Sequence, residues 1–361
     1  MNLKRLHIRS FRGYENLEVE LEKGMNVLVG SNGAGKTNAV EAISFLASAR
    51  SFKTKDESEL RKKGTTLTEL KGDFEVGRRM SDVFMTLTPK GKKVMVRGHE
   101  VKKLSELVSE FHVITFQPED VFLFDASPSE RRKWMNQSVS QSFPHYLHAL
   151  NRYEKILAER NNVLKENEPN RMHLDSLTEM LVEVAEEIVR YRTQYFQKAF
   201  PIASALFQKL NGGEQTIDFS YQPFIPFDSA FKENAYNAFQ RSLENDLRYG
   251  ATTIGPHRED FACLLNDRKI DESGSQGEKR IAALALRLTP YSLFEKSEEY
   301  PIVILDDVLS ELDEKRKTNL LQVVSTYEQV FITTTEWKRK EYATVYDVDH
   351  HIWTRRSNYG R

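Results

Sequence analysis

Apolar and polar positions change their rhythm several times along this chain, and each change marks an element. Leu6, Ile8 and Phe11 alternate with polar neighbours, Arg12-Gly13 interrupts them, and Leu17, Val19 and Leu21 resume the alternation. Alternation on both sides of a turn predicts a hairpin leading into the next strand. Residues 25–29 are an apolar run long enough for one buried strand, and residues 38–46 carry apolar side chains at helical spacing. Three further strands are predicted at 67–76, 83–88 and 93–97, divided by Gly77 and by Pro89-Lys90-Gly91, the turn chemistry of an antiparallel meander. A short helix at 104–111 and a strand at 113–116 follow.

The rhythm then turns helical from about residue 128 to 208. Tyr146, Leu150, Tyr153, Leu157 and Leu164 mark one amphipathic segment. Leu174, Leu177, Leu181, Val184, Ile188, Tyr191 and Tyr195 mark a second at steps of three and four. Glu168-Pro169-Asn170 separates them, which predicts two antiparallel helices, the second roughly 50 Å long at 1.5 Å per residue. An ordinary helical subdomain and a short projecting arm both fit this pattern. Asn211-Gly212-Gly213 ends the helices, and strand-like residues return at 216–221. An alanine- and leucine-rich helix at 281–288, a strand at 301–305 and a last strand at 329–334 complete the pattern, with no internal repeat.

Between the strand at 25–29 and its helix lies Gly30-Ser31-Asn32-Gly33-Ala34-Gly35-Lys36-Thr37. Strand, glycine-rich turn and helix in that order are the context in which G-x-x-x-x-G-K-[ST] is a phosphate-binding loop. The glycines let backbone wrap a phosphate without a Cβ, and the free N–H groups of the helix start point at the anion. Lys36 supplies a charge for the β- and γ-phosphates, and the Thr37 hydroxyl suits Mg²⁺. Pro301-Ile302-Val303-Ile304-Leu305-Asp306-Asp307 has the pattern of a Walker B strand. Asp306 stands where Mg²⁺ is held, and Asp307 where a general base or water-positioning carboxylate belongs. Upstream, Ser273-Gly274-Ser275-Gln276-Gly277-Glu278-Lys279-Arg280 opens a helix. Alone it reads as a helix cap, but between phosphate loop and Walker B it can offer a hydroxyl and N–H groups to a γ-phosphate. The expected ligands are therefore ATP and Mg²⁺. The expected fold is α/β, a P-loop ATPase with a mixed sheet and flanking helices. Residues 1–125 and 246–361 would form its two halves, and 126–245 a mainly helical insertion.

Composition narrows the setting. Of the 361 residues 29% are charged with a net charge of −1, so contact with a polyanion has to come from a local patch. Arg50, Lys53, Lys55, Arg61, Lys62 and Lys63 open such a patch, which continues through Arg78, Arg79, Lys90, Lys92, Lys93, Arg97, Lys102 and Lys103. It reads either as a solvated face or as a surface tracking a phosphate backbone. Arg131-Arg132-Lys133 and Lys338-Arg339-Lys340 are further basic groups. The single cysteine, Cys263, excludes an internal disulfide framework, and no apolar run reaches membrane-spanning length. A soluble cytoplasmic protein is expected.

The order of these motifs resembles the ATP-binding-cassette heads of the SMC and Rad50 group. It is similar in particular to the RecF family of bacterial recombination mediators. Four segments carry the closer resemblance: Phe11-Arg12-Gly13-Tyr14-Glu15-Asn16-Leu17, Phe116-Gln117-Pro118-Glu119-Asp120, Gly255-Pro256-His257-Arg258-Glu259-Asp260, and Leu305-Asp306-Asp307-Val308-Leu309-Ser310-Glu311-Leu312-Asp313. Ser127-Pro128-Ser129-Glu130-Arg131-Arg132-Lys133 also fits. The resemblance implies an ATP-dependent homodimer in which Ser275 and Gly277 face the partner's γ-phosphate. It makes Gln117 the Q-loop residue, a metal and catalytic position, and 310–313 the D-loop. Arg12, in the first shared segment, becomes a nucleotide-binding candidate. It also implies binding of gapped DNA or single-strand/double-strand junctions, and RecR and RecO as partners in loading RecA. Asp307 stands where most cassettes carry Glu, and Thr335 where most carry the switch His, so a weak, DNA-dependent ATPase is expected. A transport-type cassette ATPase and a small-molecule phosphotransferase are the alternatives; the first needs a membrane partner, the second an acceptor pocket in one subunit.

Overall fold

The alternating start of the chain forms a hairpin of β1 (Asn2–Phe11) and β2 (Tyr14–Glu20), with Arg12 in the turn at a φ of 50°. β3 (Gly24–Val29) and α1 (Lys36–Ser48) flank the phosphate loop. The hairpin does not pair with β3. Its β1 pairs with β4 (Thr68–Val76), and β5 (Arg79–Thr88), β6 (Gly91–Val96) and β7 (His99–Glu100) extend an antiparallel sheet in the order β2-β1-β4-β5-β6-β7. β5 starts at Arg79, before the predicted 83, because the turn at Gly77 (φ 57°) lets Val76 pair directly with Arg79. α2 (Leu104–Glu110) and β8 (Val113–Phe116) end this half.

The computed structural model describes all residues except 214, 295–299, 339–342 and 357–361, and the chain divides into two compact units. The second unit, residues 123–204 and 216–275, is more than a pair of helices. Ser127 caps α3 (Pro128–Ser142) in a capping box with Glu130, and α4 (Pro144–Val163) follows at once. The single first helix expected here is two, because Phe143 precedes Pro144 and a residue before proline avoids helical backbone. α5 (Arg171–Asn211) has 41 residues, about 60 Å at 1.5 Å per residue. Then come β9 (Ile217–Gln222), α6 (Phe231–Tyr249), β10 (Asp260–Leu265), β11 (Arg268–Lys269) and α7 (Ile270–Ser273), with the strands in the order β11-β10-β9. Aromatic rings bind this sheet to the helices: Phe261 lies 5.1 Å from Trp134 and Phe219 lies 5.7 Å from Phe200, centroid to centroid. That packing carries the unit on to residue 275, past the expected boundary at 245, and adds a three-stranded sheet to an insertion that is mainly helical, as expected.

The first unit joins residues 1–122, 205–215 and 276–361. Its second half holds α8 (Gln276–Leu293), β12 (Ile302–Leu305), α9 (Glu314–Val324), β13 (Gln329–Thr334), β14 (Thr344–Asp349) and β15 (Ile352–Arg355). The second sheet runs β15-β14-β3-β13-β12-β8, all parallel except β15. β3 is thus buried between strands from the far end of the chain, in keeping with its largely apolar run, whose one polar residue, Asn26, bonds the Glu22 and Gly24 carbonyls. α1 fills the space between the two sheets: Ile43, Phe45 and Leu46 share a core with Leu6, Ile8 and Phe74 on one side and Ile304 and Phe331 on the other. Pairing of Leu305 with both Phe116 and Ile332, and of Thr334 with Val29, brings four strand ends to one edge. Ligands of open α/β sheets bind at such carboxyl ends.

Candidate functional site

After Val29 the backbone wraps through the loop to α1, with Gly33 and Gly35 at φ of 85° and 107°. Side chains with a Cβ avoid those angles, so these glycines are required by the turn. Ser31, Asn32 and Gly33 are exposed at the loop's crest, while Ala34, Gly35 and Lys36 are buried. The Lys36 ammonium donates to the carbonyls of Gly30 (2.7 Å) and Ser31 (2.9 Å). Burial lowers its pKa, and the nearby charges of Asp307 and Asp306 oppose that shift. Thr37 donates its hydroxyl to Asp306 Oδ1 across 2.9 Å.

Asp306 is 3% exposed at the end of β12. Burial raises its pKa, while hydrogen bonds from Thr333 and Thr37 and the charge of Lys53 pull it down. Thr333, which sequence reasoning missed, donates to Asp306 Oδ1 at 2.7 Å and accepts from the Asp307 N–H at 2.9 Å. The run Thr333-Thr334-Thr335 at a strand end was its only signal. Asp307 sits at a left-handed φ of 51°. Gln117 follows β8, level with Asp306, whose N–H bonds the Phe116 carbonyl at 2.9 Å. The loop after Gln117 is tied down: the Gln117 N–H bonds Asp120 at 3.0 Å, and Arg287 of α8 pairs with Asp120.

Arg12 is placed otherwise than expected. Its guanidinium makes two hydrogen bonds to Glu41 on α1, at 2.9 and 2.8 Å, and one to the Glu59 carbonyl at 3.1 Å. Glu41 is fully buried, so this pair locks α1 to the hairpin turn and leaves the guanidinium committed within the fold.

Gly277 is the second residue of α8 in the first unit, and Ser275, the last residue of the second unit, is exposed. A Cβ on Gly277 would stand 2.1 Å from Arg316 Nη1. Arg316 in turn bonds Asp313, the N-cap of α9, at 3.1 Å. Arg280 bonds the Glu311 carbonyl at 2.9 Å and its carboxylate at 3.0 Å. The segment 310–313 and the start of α8 therefore form one braced surface.

A second missed feature is the turn between β14 and β15. His350 and His351 both take left-handed backbone, with φ of 46° and 67°. The His351 N–H bonds the Ala34 carbonyl at 3.0 Å, and its ring lies so close that a Cβ on Gly35 would meet it at 2.5 Å. Tyr14 meets the same ring edge-on at 4.8 Å and donates its hydroxyl to the Gly35 carbonyl at 3.1 Å.

Of the basic residues, Lys53, Lys55 and Lys63 are exposed and Arg61 is half-buried, while Lys62 pairs with Glu15 at 3.1 Å. Lys92 pairs with Glu57, Lys93 with Glu100 and Arg97 with Glu110, so much of the later patch is neutralised locally. Lys338 pairs with Glu336, and Arg339 and Lys340 lie outside the described residues. Among the described residues no helix is long and apolar enough to cross a membrane.

The RecF/RecN/SMC N-terminal domain family matches residues 2–351. A DNA replication and repair protein RecF from Halalkalibacterium halodurans is 36% identical over 97% of this chain and 98% of its own. One from Lactobacillus johnsonii is 34% identical over 93% of each. A solved structure of the recombination mediator protein RecF-ATPrS in the RecFOR pathway superposes with a TM-score of 0.87 at 30% identity, covering 99% of this chain and 98% of that one. The Smc head domain of Pyrococcus furiosus shares the fold, with a TM-score of 0.57 at 16% identity over 98% of this chain and 95% of that one.

Proposed function

This chain belongs to the RecF family, within the RecF/RecN/SMC group, and on that premise we propose that it is an ATP-gated DNA-binding protein of recombinational repair and replication restart. Mg-ATP closes a homodimer, the closed form holds gapped or junction DNA, and slow hydrolysis releases it. RecR and RecO are its partners in loading RecA, and it works in the cytoplasm.

The observation that carries this reading is the bond from Thr37 to Asp306, which joins the phosphate loop to the end of β12 beside Lys36. In the proposed site the loop from Gly30 to Thr37 wraps the triphosphate, with N–H groups at the start of α1 and the Lys36 ammonium meeting its oxygens. A hydroxyl and a buried carboxylate 2.9 Å apart are a hard-oxygen donor set suited to Mg²⁺, with Gln117 level with them. Thr37 and Asp306 would hold the ion, which would supply charge neutralisation to the triphosphate. Asp307 orients the attacking water. Exposure of Ser275 supports its facing a second copy's γ-phosphate together with Gly277. Asp307 is a shorter carboxylate than Glu, and exposed Thr335 carries no imidazole, so the water is loosely held and turnover slow. Lys53, Lys55, Arg61, Lys62 and Lys63 contact the DNA backbone with little base readout.

Sedimentation with Mg-ATP, with and without a gapped duplex, tests the whole reading. The expected result is a nucleotide-dependent monomer-to-dimer shift, carrying DNA with it, and lost in Lys36→Ala. A monomer in every nucleotide state, or DNA-independent turnover as fast as a metabolic kinase, would sink it.

A further inference from the structure

The loop Gly255-Pro256-His257-Arg258-Glu259-Asp260 in the second unit is held from nearly every side. A Cβ on Gly255 (φ 123°) would meet the Tyr153 hydroxyl at 2.5 Å. Arg192 takes the Pro256 carbonyl at 2.8 Å and pairs with buried Glu259, which also accepts from the Phe224 N–H at 3.0 Å. His257 is held between the Tyr153 hydroxyl at 2.9 Å and the Thr252 carbonyl at 3.0 Å. Asp260 receives a forked bond from Arg131, at 3.1 and 3.0 Å from Nε and 2.6 Å from Nη2. The one polar side chain of the loop not drawn inward is Arg258, which is exposed.

The Arg131–Asp260 bond fixes the start of α3 against this loop, and half-buried Arg132, the next residue of α3, lies within electrostatic range of Arg258. Burial lowers the Arg132 pKa, Asp260 opposes that, and the charges of Arg258, Arg192 and Arg131 add to it. Arg131 is matched by Asp260 and Arg192 by Glu259, while the acidic Asp271 lies within electrostatic range of Arg131. Neither the Arg132 nor the Arg258 side chain has a hydrogen-bond or ion-pair partner among the described residues. Two like charges, one on the braced loop and one on α3, with Lys133 exposed on the same helix, attract an anion between them. Guanidinium groups recognise phosphate oxygens with forked bonds.

We propose that Arg132 and Arg258 form a phosphate clamp that grips the sugar-phosphate backbone of DNA, using residues other than the basic ones at 53–63. This rests on the DNA-binding function proposed above. The test is fluorescence anisotropy of a labelled gapped duplex with the full chain and Mg-ATP, across a salt series. Binding by the wild type weakens steeply with salt. Arg132→Gln and Arg258→Gln each flatten the log–log slope by about 0.9, and together by ~1.8, because each lost phosphate contact releases one fewer counterion. Arg258→Lys retains most of the slope, and ATP affinity is unchanged in all of them. The clamp is refuted if the double variant keeps the wild-type slope and affinity while the duplex still binds. It is equally refuted if the double variant loses only ATP-driven dimerisation, which would put the arginines against a second copy. A wild type that binds no duplex would bring down both the clamp and the wider function.

Discussion

Thr37 and Asp306 share a hydrogen bond of 2.9 Å although 269 residues separate them along the chain. Thr333 reaches the same carboxylate oxygen at 2.7 Å. Two neutral hydroxyls are all that the structure shows bonding a buried carboxylate, and burial is the larger effect, lifting the Asp306 pKa above the usual 3.8. Between the ordinary and the raised value the folded chain keeps a proton that the unfolded chain has lost. Nucleotide-free protein is stabilised by this group on the acid side and loses that contribution as pH rises through the raised value.

Asp306→Asn removes the buried charge while keeping an oxygen for both threonines. Its nucleotide-free stability near neutral pH should equal or exceed that of the wild type, within about 1 kcal/mol. Mg-ATP-dependent dimerisation should be lost. Urea unfolding across pH and light scattering with Mg-ATP measure the two halves. A clear loss of stability in the variant would show that the ionised carboxylate is a favourable part of the empty site.

Asp307 is poised on strained backbone at a φ of 51°, with its N–H anchored on Thr333. Asp307→Asn should leave ATP binding intact, slow turnover by roughly 10²-fold and prolong the dimer accordingly. Dimers of the variant that fall apart as fast as wild type would remove Asp307 from the chemistry.

Arg12 and Glu41 form a structural pair by their geometry, with side-chain exposures of 17% and 0%. Arg12→Ala strands a buried carboxylate and should cost about 3 kcal/mol. The double change with Glu41→Ala should cost less than Arg12→Ala alone, because no charge is left unpaired. Chemical denaturation reads both. Lost ATP affinity at undiminished stability would return Arg12 to the nucleotide.

Gly35 faces two obstacles to a side chain, the His351 ring at 2.5 Å and its own φ of 107°. Gly35→Ala should abolish nucleotide binding. Adding His351→Ala clears the space but not the dihedral, so titration with a fluorescent ATP analogue should find only partial recovery. Full recovery would mean that the ring alone imposes the glycine.

Much of the proposed nucleotide site can be read in the sequence, because its signals are local. A glycine-rich turn between an apolar run and a helix identifies the phosphate loop wherever it occurs, and an apolar strand ending in Asp306-Asp307 does nearly as much. Thr333 and His351 were not legible. Their roles depend on β13 and β14 flanking β3, and a threonine or histidine at a strand end has no distinguishing pattern of its own. The pairing of Arg12 was not legible for the same reason, since its partner Glu41 lies on a helix that only the packing brings beneath the turn.

Periodicity, turn residues and the phosphate-loop spacing determined the kinds of element, their order and the chemistry of the loop, since each depends on neighbours within a few residues. Tertiary structure decided which sheet the first hairpin joins, where the inserted unit ends, and which side chains surround Asp306. Those outcomes follow from burying apolar faces against partners hundreds of residues away. Strand pairing of that range leaves no mark in the local order of residues.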